Sequence, residues 1–279
     1  MSQRQRIKLF SFEQKGGWVR HLLLAGVLVY VGLLLLAPLT TLLLQTFSQG
    51  AGAVWRALMH PDVLHSLWLT LLLALGAVVV NTFFGVMVAW VLVRHRFWGR
   101  RFLNGIVDLP FAVSPVVAGY MFILLFGKSG WFAGMASWFP FPILFSWPSM
   151  LLATIFVSLP FVIREVMPVL EEAGVDQDQA AFTLGASSWQ TFWRVTLPSI
   201  RWGLIYGVTL TLARSFGEFG AVLVVSGAVS GKTETATLFI YRALEERQKI
   251  AAYSVALTLA AISFLILFVL EVVKKKRLR

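Results

Sequence analysis

Long runs of apolar residues alternate with short polar stretches along this chain. Six runs are long enough to cross a bilayer, at about 21–45, 66–93, 103–126, 149–170, 202–227 and 251–273. A helical span needs about 20 predominantly apolar residues. The pattern predicts an all-α integral membrane protein with six transmembrane helices. It divides into an N-terminal tail over 1–20, a six-span domain over 21–273 and a basic tail over 274–279. The "AGA" at 51–53 resembles a signal cleavage site. Signal peptides have apolar cores of only about 7–15 residues, so the longer first run reads as a retained span.

One polar stretch, "DQDQAAFTLGASSWQTFWRVTLPSI" over 176–200, carries helix punctuation of its own. Asp176 with Gln179 three residues on predicts a capping box, and so does Ser187 with Gln190. The first short helix, over about 177–184, would end at Gly185, a residue suited to the left-handed C-terminal position. The second would run to about Leu197, since Pro198 cannot continue it. Trp189, Phe192, Trp193 and Thr196 recur at three- and four-residue spacing and would share a face. That face would rest on the ends of the chain's own spans, or part of the hairpin would insert into a groove on a soluble partner.

Composition agrees with the spans. The 279 residues are 58% hydrophobic and 13% charged, with a mean hydropathy of +0.79; soluble domains carry about 25% charge. The net charge of +11 need not mean nucleic acid, because the basic residues flank apolar runs beside a lipid bilayer. They are also unevenly shared. Arg4, Arg6, Lys8, Lys15 and Arg20, the arginines of "RHRFWGRR" at 94–101, Arg194 and Arg201, and the tail "KKKRLR" fall on one side. Arg56, Lys128, Lys232, Arg242, Arg247 and Lys249 fall on the other, the last four accompanied by Glu234, Glu245 and Glu246. The excess predicts that both termini, and the loop over 172–201, are cytoplasmic.

The chain has no cysteine, and its histidines (His21, His60, His65 and His95) include no HExxH pair. Thiolate chemistry and a zinc-hydrolase motif are thereby excluded, and no metal site is expected. "GAVSGKTET" invites a phosphate-loop reading, but the motif needs a glycine with four residues between it and the Gly231-Lys232 pair; Ser226 stands there, and Gly227 is one residue too late. The spacing fails, so nucleotide would have to be bound by another polypeptide. No internal repeat is visible, which weighs against a self-contained secondary carrier.

Ionisable groups inside spans are costly. Arg214 and Glu218 lie four apart in the fifth run. They would neutralise each other, or Arg214 would face a pathway for an anion while Glu218 tempers its hold. Arg164 and Glu165, as neighbours in the fourth run, would need separate partners. Asp108 begins "DLPFAVSP", where Pro110 and Pro115 remove amide donors and Ser114 offers a hydroxyl to a passing oxyanion or to a neighbouring helix. Ser114, Asp108, Arg164, Arg214 and Glu218 are thus the candidates for a pathway or gate.

The polar stretch also carries a resemblance. E-A-A, three residues, G, nine residues, I-x-L-P is the cytoplasmic loop signature of ABC importer permeases. Gln179, Ala180, Ala181, Gly185, Val195, Leu197 and Pro198 match it in register, with Gln for Glu and Val for Ile. "LPFVIREVMPVLEE" and "ARSFGEFGAVLVVSG" resemble the sulfate/thiosulfate importer permeases, and are close to the molybdate ones. "KTETATLFIYRALEERQKIAAYSVAL" is most like the W-type branch of that family. The resemblance covers nearly the whole chain. It implies a type I importer fold whose loop, through Asp178, Gln179, Ala180, Ala181, Leu184, Gly185, Ala186, Ser187, Leu197 and Pro198, couples to an ATPase. It further implies an inner-membrane subunit without a catalytic site or cofactor of its own. Its partners would be a T-type second permease, two ATP-binding subunits that use ATP and Mg, and a periplasmic sulfate/thiosulfate-binding protein. Molybdate, tungstate or another oxyanion is the rival cargo. An ion-coupled carrier or an intramembrane enzyme is the rival class.

Overall fold

The computed structural model describes residues 17–136, 138–139 and 141–275, and every regular element among them is helical. Much of the N-terminal tail and most of the basic C-terminal tail lie outside the described residues. Four unbroken helices are apolar and long enough to cross a membrane. They are α1 (Gly17–Thr46), α3 (Pro61–Arg94), α7 (Trp147–Ala173) and α13 (Lys249–Lys275). Each covers one of the apolar runs and extends it by a few residues at its ends.

The third and fifth runs are not straight spans. The third divides into α4 (Arg100–Ala112) and α5 (Pro115–Phe126), which meet at 113°. Pro115 lacks an amide proton and disfavours helical backbone at Ser114, so the break falls there. The fifth divides into α10 (Leu197–Phe216) and α11 (Gly220–Ser226), bent by 57° across residues 217–219. Counting each bent pair as one crossing gives six. The short helices are α2 (Ala51–Leu58), α6 (Ala133–Ala136), α8 (Asp176–Thr183), α9 (Ser188–Thr191) and α12 (Ala236–Glu245). The "AGA" of 51–53 is the first turn of α2, which packs on α13.

α3, α7 and α10 make the centre of the bundle. Between helices in lipid there is little hydrophobic drive, so close packing and internal hydrogen bonds must hold them. Small residues allow the approach. A Cβ at Gly207 would lie 2.7 Å from Val162 Cα, and one at Gly203 would lie 2.6 Å from the Glu165 carbonyl oxygen. Asn81 on α3 is fully buried; its Nδ2 donates to Ser158 Oγ (2.9 Å) and to the Ile155 carbonyl (3.1 Å) on α7. Val86, Ala89, Leu92, Val162, Ile163, Val166 and Ile200 fill the end of the bundle where α3 and α7 finish. α1 is different: the apolar window of its span is nowhere buried, and it packs chiefly on α13.

Candidate functional site

At the end of α7 the chain turns through Gly174 and Val175 straight into α8, then doubles back through α9 into α10. The result is a helical hairpin projecting from the bundle. Gly185 closes its tip with φ +85°, the left-handed region that glycine enters without a Cβ penalty. The Ala186 N–H donates to the Ala181 carbonyl and the Gly185 N–H to the Phe182 carbonyl, both at 3.0 Å. That pair of bonds is a Schellman stop, the C-terminal cap expected of a glycine here. The capping box at Ser187 is also formed. The Ser187 N–H donates to Gln190 Oε1 (2.9 Å), and the Gln190 N–H donates to Ser187 Oγ (3.3 Å).

Two expectations for the hairpin are corrected. Asp176 does not cap α8; it is the first helical residue, and Val175 holds the cap position without a side-chain bond. The turn from α7 is too short to leave Asp176 in extended backbone. Nor does Pro198 stop the second helix. Phe192–Thr196 is a π-helical stretch in which the Leu197 N–H bonds the Phe192 carbonyl, and α10 continues from it without a break. The widened turn gives the proline ring the room that an α-helical carbonyl four residues back would take.

Asp178 does not point outward. One carboxylate oxygen lies 3.0 Å from Arg94 Nη2 at the end of α3, and the other accepts from Thr196 Oγ1 at 3.1 Å. Both charged side chains are nearly buried, so this pair fastens the hairpin to the bundle. Thr196 is buried and Phe192 packs inward, while Trp189 and Trp193 remain exposed with their rings 5.5 Å apart. The predicted aromatic face is therefore split: part of it rests on the chain itself and part is free. Gln179, Ala180, Gly185 and Ser187 are exposed, Ala181 and Ala186 partly so, and Leu184 is 88% exposed. Leu197 and Pro198 sit at the hairpin's foot, Leu197 against the core.

The remaining candidates fall into two groups. Arg164 and Asp108 find each other: Nε and Nη2 of Arg164 donate to the two carboxylate oxygens at 2.7 and 2.6 Å. Asn104 accepts two further bonds from the same guanidinium, at its Oδ1 and its carbonyl, both 2.9 Å. The geometry is a bidentate clamp between α4 and α7. Glu165, expected to need a partner of its own, has no ion pair among the described residues.

Arg214, Glu218 and Ser114 stand at the two breaks. Arg214 Nη1 lies 2.7 Å from Glu218 Oε2. They pair although α10 has already ended at Phe216 and Glu218 stands in the bend. The other Glu218 oxygen accepts from the Ala221 N–H (3.0 Å) at the start of α11, and its carbonyl accepts from Thr237 Oγ1 (2.6 Å) on α12. Ser114 is exposed at the α4–α5 break and makes no side-chain cap bond. The breaks adjoin, because a Cβ at Gly220 would lie 3.1 Å from Pro115 Cβ.

Arg94, Asn104 and Asn81 were missed as positioning residues. In the sequence Arg94 reads only as an orientation charge, and nothing in the spacing marks its partner 84 residues on. Glu234 was also missed. It is buried and holds Arg242 Nε at 2.6 Å and Nη2 at 3.0 Å, with Glu246 on the outer side of the same guanidinium. The Glu234 hydrogen bond holds Arg242 above the ordinary arginine range. Glu245 pushes the neighbouring Tyr241 phenol up. The glycine-rich turn before α12 closes on itself: the Thr233 N–H donates to the Val229 carbonyl, and the Val229 N–H donates to Thr233 Oγ1.

A helical hairpin between two spans, with broken spans beside it, fits a transport subunit that is moved from outside. Residues 81–279 match the family described as the binding-protein-dependent transport system inner membrane component. The chain belongs to that family. It is 48% identical over 247 residues to the sulfate transport system permease protein CysW of Synechococcus elongatus, covering 88% of this chain and 86% of that one. It is 39% identical over 249 residues to the sulfate transport system permease protein CysT of Escherichia coli, covering 89% and 90%. The fold is that of a bacterial ABC transporter involved in the import of alginate, with a TM-score of 0.77 over 93% of this chain and 96% of that one at 17% identity. The subunit is thus a multi-pass inner-membrane permease.

Proposed function

We propose that this chain is one of two permease subunits of an ATP-driven importer for sulfate, with thiosulfate as a related cargo. The observation that carries the reading is the 48% identity to a sulfate permease across nearly the whole chain. The second permease would be a T-type relative, and a binding protein outside the membrane would deliver the anion. The hairpin end would face the cytoplasm with both termini, in keeping with the arginines at 94, 96, 100, 101, 194 and 201 at that end. ATP and Mg would be bound by a pair of partner ATPase subunits, whose closing supplies the force.

In this reading the hairpin transmits that force. Its exposed tip, from Gln179 to Ser187, enters a cleft on the ATPase. The Asp178–Arg94 pair and the Thr196 bond make the hairpin move with α3 and α10 rather than swing alone. Turning a two-state bundle from 1:99 to 99:1 takes about 5.5 kcal/mol of differential binding. A rigid attachment matters because a loose hairpin would dissipate that energy. At the other end of the coupling, the adjoining breaks at 113–114 and 217–219 place Ser114 and the Arg214–Glu218 pair where backbone departs from helix. Irregular backbone at membrane depth is tolerated where it is buried or lines a cavity. A partly neutralised arginine there would lower the barrier for an anion without trapping it.

The test is labelled sulfate uptake in cells whose own sulfate permease has been deleted, with the partner subunits supplied. Uptake that excess thiosulfate suppresses more strongly than molybdate or tungstate supports the reading. Uptake suppressed chiefly by molybdate reassigns the cargo. Uptake that persists without the ATPase removes the coupling altogether.

A further inference from the structure

A cavity of about 900 Å³ opens at the hairpin end of the bundle between the α3–α4 loop, the start of α4 and the last turns of α7. Arg96, Arg100 and Arg101 line it, and none of them is ion-paired among the described residues. Arg164 also lines it but is committed to Asp108 and Asn104; Glu171 is the lone carboxylate on its wall. α4 has no acidic residue in its first turn to offset the two arginines there. On the α7 side Met167 and Pro168 add apolar surface between Arg164 and Glu171, and Trp98 adds more from the α3–α4 loop.

The surroundings are those of a membrane interface. Trp98 is fully exposed, and Phe97 and Phe102 are exposed on either side of the arginines. Ile106, Leu109 and Phe111 continue the exposed apolar residues along α4, which turns away from its partner α5 by 113°. Basic residues and aromatics gathered at the start of a span mark the end that sits at headgroup level.

We infer that this cavity holds the headgroup of an anionic phospholipid. The three arginines would take the phosphate, and Met167, Pro168 and Trp98 would take the first methylenes of an acyl chain. A free inorganic anion would use the charge and leave the apolar surface unexplained; an amphiphile uses both. The inference stands whatever the transported cargo is.

The test uses the full chain with its partner subunits, extracted in mild detergent. Phosphatidylglycerol and phosphatidylcholine retention is read by native mass spectrometry. The wild type should retain phosphatidylglycerol in preference to phosphatidylcholine, and millimolar sulfate or phosphate should not displace it. At about fivefold per arginine, Arg100→Gln with Arg101→Gln should weaken retention roughly 25-fold. Arg100→Lys with Arg101→Lys should keep most of it, which separates lost charge from lost fold. Arg247→Gln, outside the cavity, should change nothing. Equal retention by the glutamine pair would overturn the proposal. So would displacement by free phosphate or sulfate, which would make this an inorganic-anion site. Loss of the ATPase from the glutamine pair with lipid retained would make it a protein-docking surface.

Discussion

At the scale of single residues, the two buried acid–base pairs differ in what they support. Asp178 and Arg94 are both nearly buried, and the pair joins the hairpin to α3. Removing one partner strands a charge, at a cost of about 3 kcal/mol. Asp178→Ala should therefore lower the thermal stability of the purified chain. Asp178→Ala with Arg94→Met should recover more than half of that loss, and a double-mutant cycle measures the coupling. Arg214 is less enclosed, about one-third exposed, while the Glu218 side chain is 3% exposed. Arg214→Ala strands the more deeply buried Glu218 and should cost at least as much, about 3 kcal/mol. Adding Glu218→Gln removes the stranded charge and keeps an acceptor for the Ala221 N–H. If that double variant folds and assembles but moves sulfate slowly, Arg214 acts on the anion. If transport returns with stability, the pair is a structural tie.

At the scale of elements, the unbroken spans were legible because each is a long apolar run, and the hairpin because it carries its own stop at Gly185 and start at Ser187. The breaks were legible only in part. Pro110 and Pro115 mark the third run, yet hydropathy alone joins α4 to α5 and hides the 113° turn. The fifth run bends at Gly217–Phe219, where no proline stands and where Glu218 ties α10, α11 and α12 together through Arg214, Ala221 and Thr237. Long-range pairs such as Arg94–Asp178 leave no periodic signal. The hairpin itself yields a direct prediction. No atom lies within 4 Å of a Cβ placed on Gly185, so bulk added there meets solvent, and the strain of a side chain at φ +85° falls on the tip turn and not on the bundle. Gly185→Trp should insert into the membrane at normal levels, lose the ATPase on affinity purification and abolish uptake. Gly185→Asn, which tolerates left-handed backbone, should keep most of its activity. Normal uptake by the tryptophan variant would show that the tip touches nothing that matters.

At the scale of the whole molecule, the chain divides into a packed centre of α3, α7 and α10 and a periphery that it barely holds. α1 is the extreme case, a span with its apolar residues turned to the surroundings along its length. The two parts that a partner would have to move, the hairpin and the breaks, are attached to the centre by named bonds. The π-helical stretch at Phe192–Thr196 sets the angle between them. Such a stretch adds one residue to a helix without ending it, and each residue in an α-helix advances the chain by about 100° around the axis. The stretch is therefore a phase shift: it determines the compass bearing of Trp189 and the hairpin tip relative to every side chain of α10. Deleting the exposed Arg194 together with Pro198→Ala, which removes the ring that an uninterrupted α-helix could not house, should restore an ordinary helix and swing the tip through roughly that angle. The membrane bundle should then assemble as before while uptake fails, as with a key cut correctly but turned in its bow.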